Sequence, residues 1–358
     1  MKPVFRVPTR RLRFIIMAAL LSLFGSFLCQ KTVMAETLRI VTTTPDLAAI
    51  AGKITGENAV ITSLCSGKED PHFLQAKPGF ILSARNADLW IRIGMELEVG
   101  WEPPILEGAR NPAIREGERG HLDASEGVIR LEVPTTRVTR AMGDVHPEGN
   151  PHYWLDPLNA RIMAKTIAQR LTQLDPERAP AFRQNLSAFE NALDERMFGS
   201  PLLAEISGAR LWALAMRGEL EGFLETRKMA EKVGGWFGKM APLRGKKLVC
   251  QHRSWIYFTN RFGLEIVAEL EPKPGIPPSA PHLREVIQTV QKEGASLILI
   301  EPFYSRKAAD LVADKTGAKV LVCANSVGGQ PEAIDYFALI DHLVTGIGLA
   351  LETSPKAF

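Results

Sequence analysis

Short apolar runs that alternate with helix-like segments occur twice along this chain. In chain order the predicted strands are 38–43, 59–64, 88–93 and 120–123 in the first set, and 248–251, 264–270, 296–300 and 319–323 in the second. The centres of the first three runs lie 21 and 29 residues apart in one set and 18 and 31 residues apart in the other. This similar spacing predicts two copies of one β/α unit, each with a parallel sheet covered by helices on both faces.

The region between the two copies has the periodicity of helices. Asp175 and Pro176 are typical of a helix start, and the apolar residues after them recur at helical spacing. These residues are Phe182, Leu186, Phe189, Leu193 and Met197. A helix over 177–197 would be about 31 Å long at 1.5 Å per residue, which is enough to join two lobes as a spine helix. Residues 202–227 are also predicted to be helical.

These patterns predict an α/β protein of two lobes, each a parallel β-sheet flanked by helices, joined by the spine helix. The predicted boundaries are a signal peptide over 1–35, an N-terminal lobe over 36–157, a helical linker over 158–245 and a C-terminal lobe over 246–358. Ligands of parallel α/β sheets bind outside the carboxyl ends of the strands. The expected site is therefore a cleft between the lobes.

The first 35 residues have the order of a secretory signal. Basic residues precede the apolar run 14–28, and small residues ending at Ala35 follow it. A run of about 15 residues is short for a membrane span of about 20, which favours a cleaved signal over an anchor. Cys29 leaves a lipoprotein as a further alternative. We therefore expect export across the inner membrane, to the periplasm or the extracytoplasmic face.

Charge and cysteine content argue against several classes of protein. The chain has 43 Lys and Arg against 40 Asp and Glu, and removing residues 1–35 takes away six of the basic residues. The remaining net charge of −3 gives no reason to expect binding to nucleic acid. Cys65, Cys250 and Cys323 are odd in number and lack a Cys-x-x-Cys spacing, which predicts neither a disulfide framework nor a cysteine-based zinc site. Cys250 is expected in the core.

Three histidines lie where a short polar turn interrupts an apolar segment. His72 follows Asp70-Pro71, His152 precedes Tyr153-Trp154, and His252 comes just after the apolar run 248–250. Neutral imidazole suits zinc and the later first-row metals, so these three residues are predicted metal ligands if the fold gathers them. Asp156 is a candidate acceptor that would orient His152.

The fourth ligand stays open at this point. Glu301 follows the third strand of the second copy, where its carboxylate would either bind metal or hold a histidine in place. Glu271, Asn325 and a water molecule are the alternatives. His146 is expected in a solvated loop in preference to an auxiliary ligand position. The other histidines are assigned to structural positions: His121, His282 and His342.

With these residues the chain resembles the extracytoplasmic substrate-binding proteins of zinc and manganese ABC transporters, the cluster A-I family. The resemblance rests on the segments 70–72, 94–98 and 151–157, and it covers essentially the whole mature chain. It implies two lobes joined by a long helix, with metal held between them by His72, His152 and His252. The family commonly supplies a fourth ligand as an aspartate followed by a serine, and Asn325-Ser326 takes that place here.

The resemblance implies capture of a metal ion and its delivery to an ABC-type membrane permease. Nitrogen-rich ligation favours zinc, with manganese or iron as the next candidates. We expect a monomer that binds a divalent metal and no nucleic acid. Because the histidines must be neutral to bind, affinity should fall as the pH drops through about 6.5.

Two other classes of protein compete with this interpretation. One is a surface adhesin of the same fold in which the metal is structural. The other is a secreted zinc hydrolase with Glu301 as its general base, although the chain contains no His-Glu-x-x-His and no Gly-x-Ser-x-Gly pattern. We therefore predict a protein without enzymatic activity.

Overall fold

The computed structural model describes residues 1, 37–139, 142–143 and 145–352. The predicted signal peptide, including Cys29, lies outside the described residues except for Met1. From Leu38 onward the chain forms one compact unit. Within the described ranges, no helix combines the length and the apolar composition needed to cross a bilayer.

Two four-stranded sheets of the same topology form the centre of the molecule. The strands are β1 (Leu38–Thr42), β2 (Ala59–Ser63), β3 (Leu89–Arg92), β4 (His121–Asp123), β5 (Lys247–Cys250), β6 (Glu265–Glu269), β7 (Leu297–Ile300) and β8 (Lys319–Val322). Their orders are β2-β1-β3-β4 and β6-β5-β7-β8, and all neighbours are parallel. In the first sheet Ile40 lies opposite Leu89, and in the second Val249 lies opposite Ile298. The predicted two-lobed α/β fold with a repeated unit is confirmed.

Helices follow most strands and cover the sheets. In chain order they are α1 (Pro45–Thr55), α2 (Pro78–Arg85), α3 (Glu102–Ala109), α4 (Pro157–Leu174), α5 (Ala179–Phe198), α6 (Ser200–Leu203), α7 (Gly208–Met216), α8 (Leu220–Thr226), α9 (Gly235–Met240), α10 (Ile256–Phe262), α11 (Ala280–Glu293), α12 (Lys307–Thr316) and α13 (Tyr336–Glu352). Thr44 and Ser279 cap α1 and α11, since their side chains accept hydrogen bonds from backbone N–H groups of the first turn. The local sequence thus determines where these helices start.

The helical region between the sheets differs in detail from the prediction. The long helix α5 begins at Ala179, and Asp175 ends the preceding helix α4, because its N–H donates to the carbonyl of Leu171 at 2.8 Å. Helix α4 falls almost wholly within the predicted helical linker, but its own bounds were not predicted. The single helical segment expected over 202–227 is divided among α6, α7 and α8. Helix α5 packs against α1 and α4 on one side and against α9, which leads towards β5, on the other.

One hydrophobic core extends through both lobes. It includes Ile40 of β1, Leu248 of β5 and Leu193 of α5, each exposed by 1% or less. A smaller separate core covers the other face of each sheet. Because the main core is shared, the two sheets are held together by buried apolar surface as well as by the chain connection.

The cysteines occupy apolar positions. Cys65, Cys250 and Cys323 are buried free thiols. Burial raises the pKa of each thiol above its ordinary value. The prediction that Cys250 lies in the core is confirmed, and its environment is that of an unreactive packing residue.

Candidate metal site

Each of the three predicted ligands lies at the start of a one-turn 3₁₀ helix. His72 lies within Pro71–Phe73, His152 directly precedes Tyr153–Leu155, and His252 directly precedes Arg253–Trp255. The first turn is held by its own sequence, because the Asp70 carboxylate accepts a hydrogen bond from the backbone N–H of His72 at 3.0 Å. Such short, fixed turns hold the imidazoles at defined positions beside the ends of the strands.

The fold brings these three histidines together. One ring nitrogen from each lies within 4.8 Å of those of the other two. The ring centroids are 5.1 Å apart for His72 and His152, 5.4 Å for His72 and His252, and 5.2 Å for His152 and His252. All three residues are buried, with 8%, 2% and 6% exposure in chain order. This three-histidine cluster has the donor type and the size of a divalent metal site.

Two carboxylates bond to ring nitrogens of cluster histidines. Asp70 Oδ1 lies 2.6 Å from Nδ1 of His72, and Glu271 Oε2 lies 3.0 Å from Nδ1 of His252. A carboxylate at Nδ1 favours the tautomer with a proton there, which leaves Nε2 as the nitrogen that can bind metal. Both carboxylates are themselves held in place, since Asp70 accepts from the Tyr304 hydroxyl at 3.1 Å and Glu271 accepts from the Gly275 N–H at 2.9 Å.

His152 is oriented in a different way. Its ring stacks on Trp154, with centroids 5.1 Å apart and an interplanar angle of 18°. Its backbone N–H donates to the Asn150 side chain at 3.0 Å, and the same side chain donates to the carbonyl of Arg253 at 2.9 Å. Asn150 therefore connects the turn that carries His152 to the turn that follows His252.

The electrostatics of the cluster favour neutral imidazole at His152. Burial, and after it the nearby His72 and His252, lowers the pKa of His152 well below its ordinary value of 6.5. At Asp70, burial alone would raise the pKa, but hydrogen bonding and charge interaction with His72 lower it to about 2. A lowered pKa favours the neutral form of His152, which is the form that binds metal.

The other residues predicted near the site have varied surroundings. Glu301 is fully buried, its Oε1 accepts from the Ser254 hydroxyl, and burial raises its pKa to about 8. Among the described residues its carboxylate does not belong to the three-histidine cluster. The prediction for Asp156 is wrong: its carboxylate caps α4 and pairs with Arg261, whereas Nδ1 of His152 has no hydrogen-bond partner within the described part of the chain. Asn325 accepts from Trp154 through its backbone carbonyl, at 2.7 Å.

His146 lies closer to the site than the sequence indicated. A solvated loop was expected, but the imidazole lies beside His72 with ring centroids 5.3 Å apart. Its neighbourhood of Pro147, Glu148 and Gly149 carries no local signal of burial, so only the path of the loop places it here. The remaining histidines have structural contacts: His121 with the Ile114 carbonyl, His282 with the Glu269 carbonyl and His342 with Gln330.

The fold and the three-histidine cluster define a two-lobed protein with a divalent metal site between its lobes. A family model described as the periplasmic component A of a zinc-uptake complex (ZnuA) matches residues 40–197 and 228–349. The chain belongs to this family. The stretch 198–227, left out of the match, falls in the short helices α6 to α8 and the start of the segment after them.

Curated relatives carry the names of several metals. The high-affinity zinc uptake system protein ZnuA of Paracoccus denitrificans is 24% identical over 351 residues, covering 88% of this chain and 91% of the relative. The metal ABC transporter substrate-binding lipoprotein SloC of Streptococcus mutans is 26% identical and covers 93% and 98%. The match to ZnuA of Brucella abortus is 27% identical over 168 residues and spans 47% of this chain and 40% of that protein.

Solved structures share the fold. A crystal structure of ZnuA aligns with a TM-score of 0.65 at 23% identity, covering 88% of this chain and 99% of that one. A laminin-binding adhesin of Streptococcus agalactiae, determined as a mutant, aligns with a TM-score of 0.63 at 20% identity, covering 88% and 99%. Likeness at these identities shows the fold alone, so the adhesin alternative is not favoured by it.

Proposed function

We propose that this protein captures a divalent metal ion, zinc in the first place, and delivers it to the permease of an ABC importer. The observation that carries the proposal is the cluster of three buried histidines whose nitrogens lie within 4.8 Å of one another. Burying three imidazoles beside one another is costly unless a ligand pairs with them, because each nitrogen loses its hydration. Membership of the zinc-uptake family supports import as the use of this site.

Zinc is the proposed metal because the donors are nitrogens. Imidazole suits zinc, nickel and copper, whereas manganese prefers more oxygen ligands. The names of relatives include zinc for ZnuA of Paracoccus denitrificans, manganese for PsaA of Streptococcus pneumoniae and iron for YfeA of Yersinia pestis. Manganese and iron are therefore the metals to compare with zinc.

The proposed ligands are His72, His152 and His252. Asp70 and Glu271 bond to Nδ1 of His72 and of His252, and their carboxylates would place negative charge near the cation. Glu301 stays a prediction as the fourth ligand. Its buried Oε2, which has no hydrogen-bond partner within the described residues, supports that role, and its bond to Ser254 limits its movement.

We further propose that the protein acts outside the cytoplasm as a monomer. The order of basic, apolar and small residues over 1–35 supports export by a signal peptide. The family consists of transport components, which supports a binding role in place of catalysis. The proposed domain boundaries are those of the sequence analysis: the N-terminal lobe ends at residue 157, the helical linker covers 158–245, and the C-terminal lobe begins at residue 246.

Metal binding by purified protein tests the proposal. Protein starting at Glu36 is stripped of metal and titrated with zinc and manganese in a calorimeter, beside the His152→Ala and His342→Ala variants. We expect one tightly bound zinc that His152→Ala loses and His342→Ala keeps, since His342 is half-buried and contacts Gln330, and among the described residues it is not a member of the cluster. Absence of stoichiometric metal, or equal binding by both variants, would contradict the proposal.

A further inference from the structure

A fourth imidazole, that of His146, lies beside His72, although among the described residues its nitrogens are not part of the set that lies within 4.8 Å of one another. The ring of His146 is 5.3 Å from that of His72 with an interplanar angle of 31°, and the rings within the cluster are themselves 5.1 to 5.4 Å apart. Nε2 of His146 is buried and has no hydrogen-bond partner within the described ranges. A buried nitrogen of this kind is rare unless something binds it.

The chain holds His146 in this position by specific contacts. The carbonyl of His146 accepts from the N–H of Gly149 at 3.2 Å, which closes a tight turn. Gly149 has a φ of 109°, and a Cβ there would lie 2.7 Å from the carbonyl oxygen of Leu131, so the turn requires glycine. Earlier in the loop, Gly143 approaches Pro274 of the C-terminal lobe so closely that a Cβ would lie 2.6 Å from its carbonyl oxygen.

His146 also lines the opening to the cluster. A cavity of about 330 Å³ is lined by His146 together with His152, His252, Arg253 and Pro274. A metal ion that enters through this cavity meets the imidazole of His146 together with those of His152 and His252. The residue is therefore placed to contact an ion that reaches the cluster from this cavity.

Glu301 is the competing candidate for the fourth position. Its carboxylate is bound to Ser254 through Oε1 and is fully buried at the end of β7. Its Oε2, like Nε2 of His146, is buried without a hydrogen-bond partner among the described residues. Of these two residues, only His146 lines the cavity beside His152 and His252, which favours His146 as the group that an incoming ion meets.

We propose that His146 is the fourth ligand, so that the metal is held by four imidazole nitrogens. This inference rests on the proposed function, since it names a further ligand of the same site. A set of four nitrogens without a carboxylate favours zinc over manganese, which binds better to oxygen donors. Zinc–nitrogen bonds in such a site are expected to be about 2.0 to 2.1 Å long.

Spectroscopy of cobalt-loaded protein combined with zinc affinity tests the inference. The variants are His146→Ala, Glu301→Gln and His152→Ala, with His342→Ala as the matched control. We expect His146→Ala to retain one metal per chain but to bind zinc at least about tenfold more weakly. Mutating a residue that only supports a metal ligand already lowers metal affinity by about 10- to 100-fold. Its cobalt ligand-field absorption should change in position and intensity, and its preference for zinc over manganese should decrease.

The possible results separate this inference from the function on which it rests. If His146→Ala matches His342→Ala in both affinity and spectrum while His152→Ala loses the metal, the four-histidine site is refuted and metal capture stands. If Glu301→Gln reproduces the expected losses in place of His146→Ala, the fourth ligand is Glu301 and the inference is again refuted. If the unaltered protein binds no metal, the proposed function itself fails.

Discussion

At the scale of single residues, the site depends on groups that never need to touch the metal. Asp70 and Glu271 each accept from Nδ1 of a cluster histidine, and each is fixed by a further hydrogen bond. Such carboxylates set the tautomer and raise the basicity of the nitrogen that faces the metal. The third histidine, His152, lacks a carboxylate and relies on its stacking with Trp154.

Removing either supporting carboxylate should weaken binding without removing a ligand. We expect Asp70→Ala and Glu271→Ala each to lower zinc affinity by about 10- to 100-fold while one metal per chain is retained. Competition against a chelator of known affinity measures this change. Asp310→Ala is the matched control, because Asp310 forms an exposed ion pair with Arg306 away from the site. Affinities of the two site variants equal to that of the control would show that the carboxylates are dispensable.

Asp46 gives a pH dependence of folding at a single residue. It is fully buried in α1 and accepts from the Ser326 hydroxyl at 2.5 Å and from the Val327 N–H at 3.0 Å. Burial raises the pKa of Asp46 to about 7, and the two hydrogen bonds only partly oppose it. The folded protein therefore keeps a proton on Asp46 that the unfolded chain releases above the ordinary pKa of 3.8. The stability that this bound proton contributes to the folded state is lost as the pH rises through about 7.

The Asp46→Asn variant should lack this loss. Between pH 4 and pH 8 we expect the free energy of unfolding of the unaltered protein to fall relative to that of the variant, by up to about 4 kcal/mol at 1.36 kcal/mol per pKa unit. Urea unfolding across this pH range, with metal absent, provides the measurement. Parallel pH profiles for the two proteins would rule out Asp46 as the buried acid responsible.

At the scale of elements, helix ends connect the two lobes. The Asp156 carboxylate caps α4 by accepting from the Leu158 N–H at 2.9 Å, and it also forms two hydrogen bonds of 2.7 Å with the guanidinium of Arg261 in α10. Both side chains of the pair are largely buried, with 10% exposure for Arg261 and 3% for Asp156. One carboxylate thus both starts a helix and ties it to the other lobe.

Breaking this pair should be costly, because the partner left behind is a buried charge. We expect Arg261→Ala and Asp156→Ala each to lower the free energy of unfolding by about 3–5 kcal/mol, and the double variant to lose less than the sum. The exposed pair of Arg306 and Asp310 is the control, for which Arg306→Ala should change stability by about 1 kcal/mol or less. Urea unfolding of the four variants measures these changes in the free energy of unfolding. If the loss in the double variant equals the sum of the losses in Arg261→Ala and Asp156→Ala, the two side chains do not act as a coupled pair.

At the scale of the whole molecule, the lobes are joined by more than a hinge. The main hydrophobic core runs through both sheets and α5. Hydrogen bonds also cross between the lobes: Trp154 donates to the Asn325 carbonyl at 2.7 Å, and Tyr336 donates to the Trp154 carbonyl at 2.8 Å. A wide opening of the cleft would break these buried contacts.

Metal binding should therefore move the lobes very little. We expect small-angle scattering profiles of the stripped and zinc-loaded protein to superimpose, since the shared core and the hydrogen bonds between the lobes hold their relative positions. The His152→Ala variant, which should not bind zinc, provides the baseline for any effect of the added salt. Marked compaction on loading, absent from that variant, would mean that the shared core does not hold the lobes together.

Much of this protein was determined by local sequence. The eight strands follow from apolar runs of the right length, and each predicted strand differs from the observed one by no more than a residue or so at either end. The repeated topology follows from their spacing, because parallel strands need a helix between them. The three histidines that the fold brings together were also singled out from the sequence, since each lies where a short polar turn meets an apolar segment.

What only the tertiary structure decided were the partners of polar groups far apart in sequence. Asp156 bonds to Arg261 and not to His152, Glu271 supports His252, and His146 lies beside His72. These pairings depend on how helices and loops from both lobes pack around one cleft. A local pattern indicates which residues can form a turn or a strand. It does not indicate which of several polar groups will pair, because a buried polar group can bond only to the neighbours that the fold places within reach.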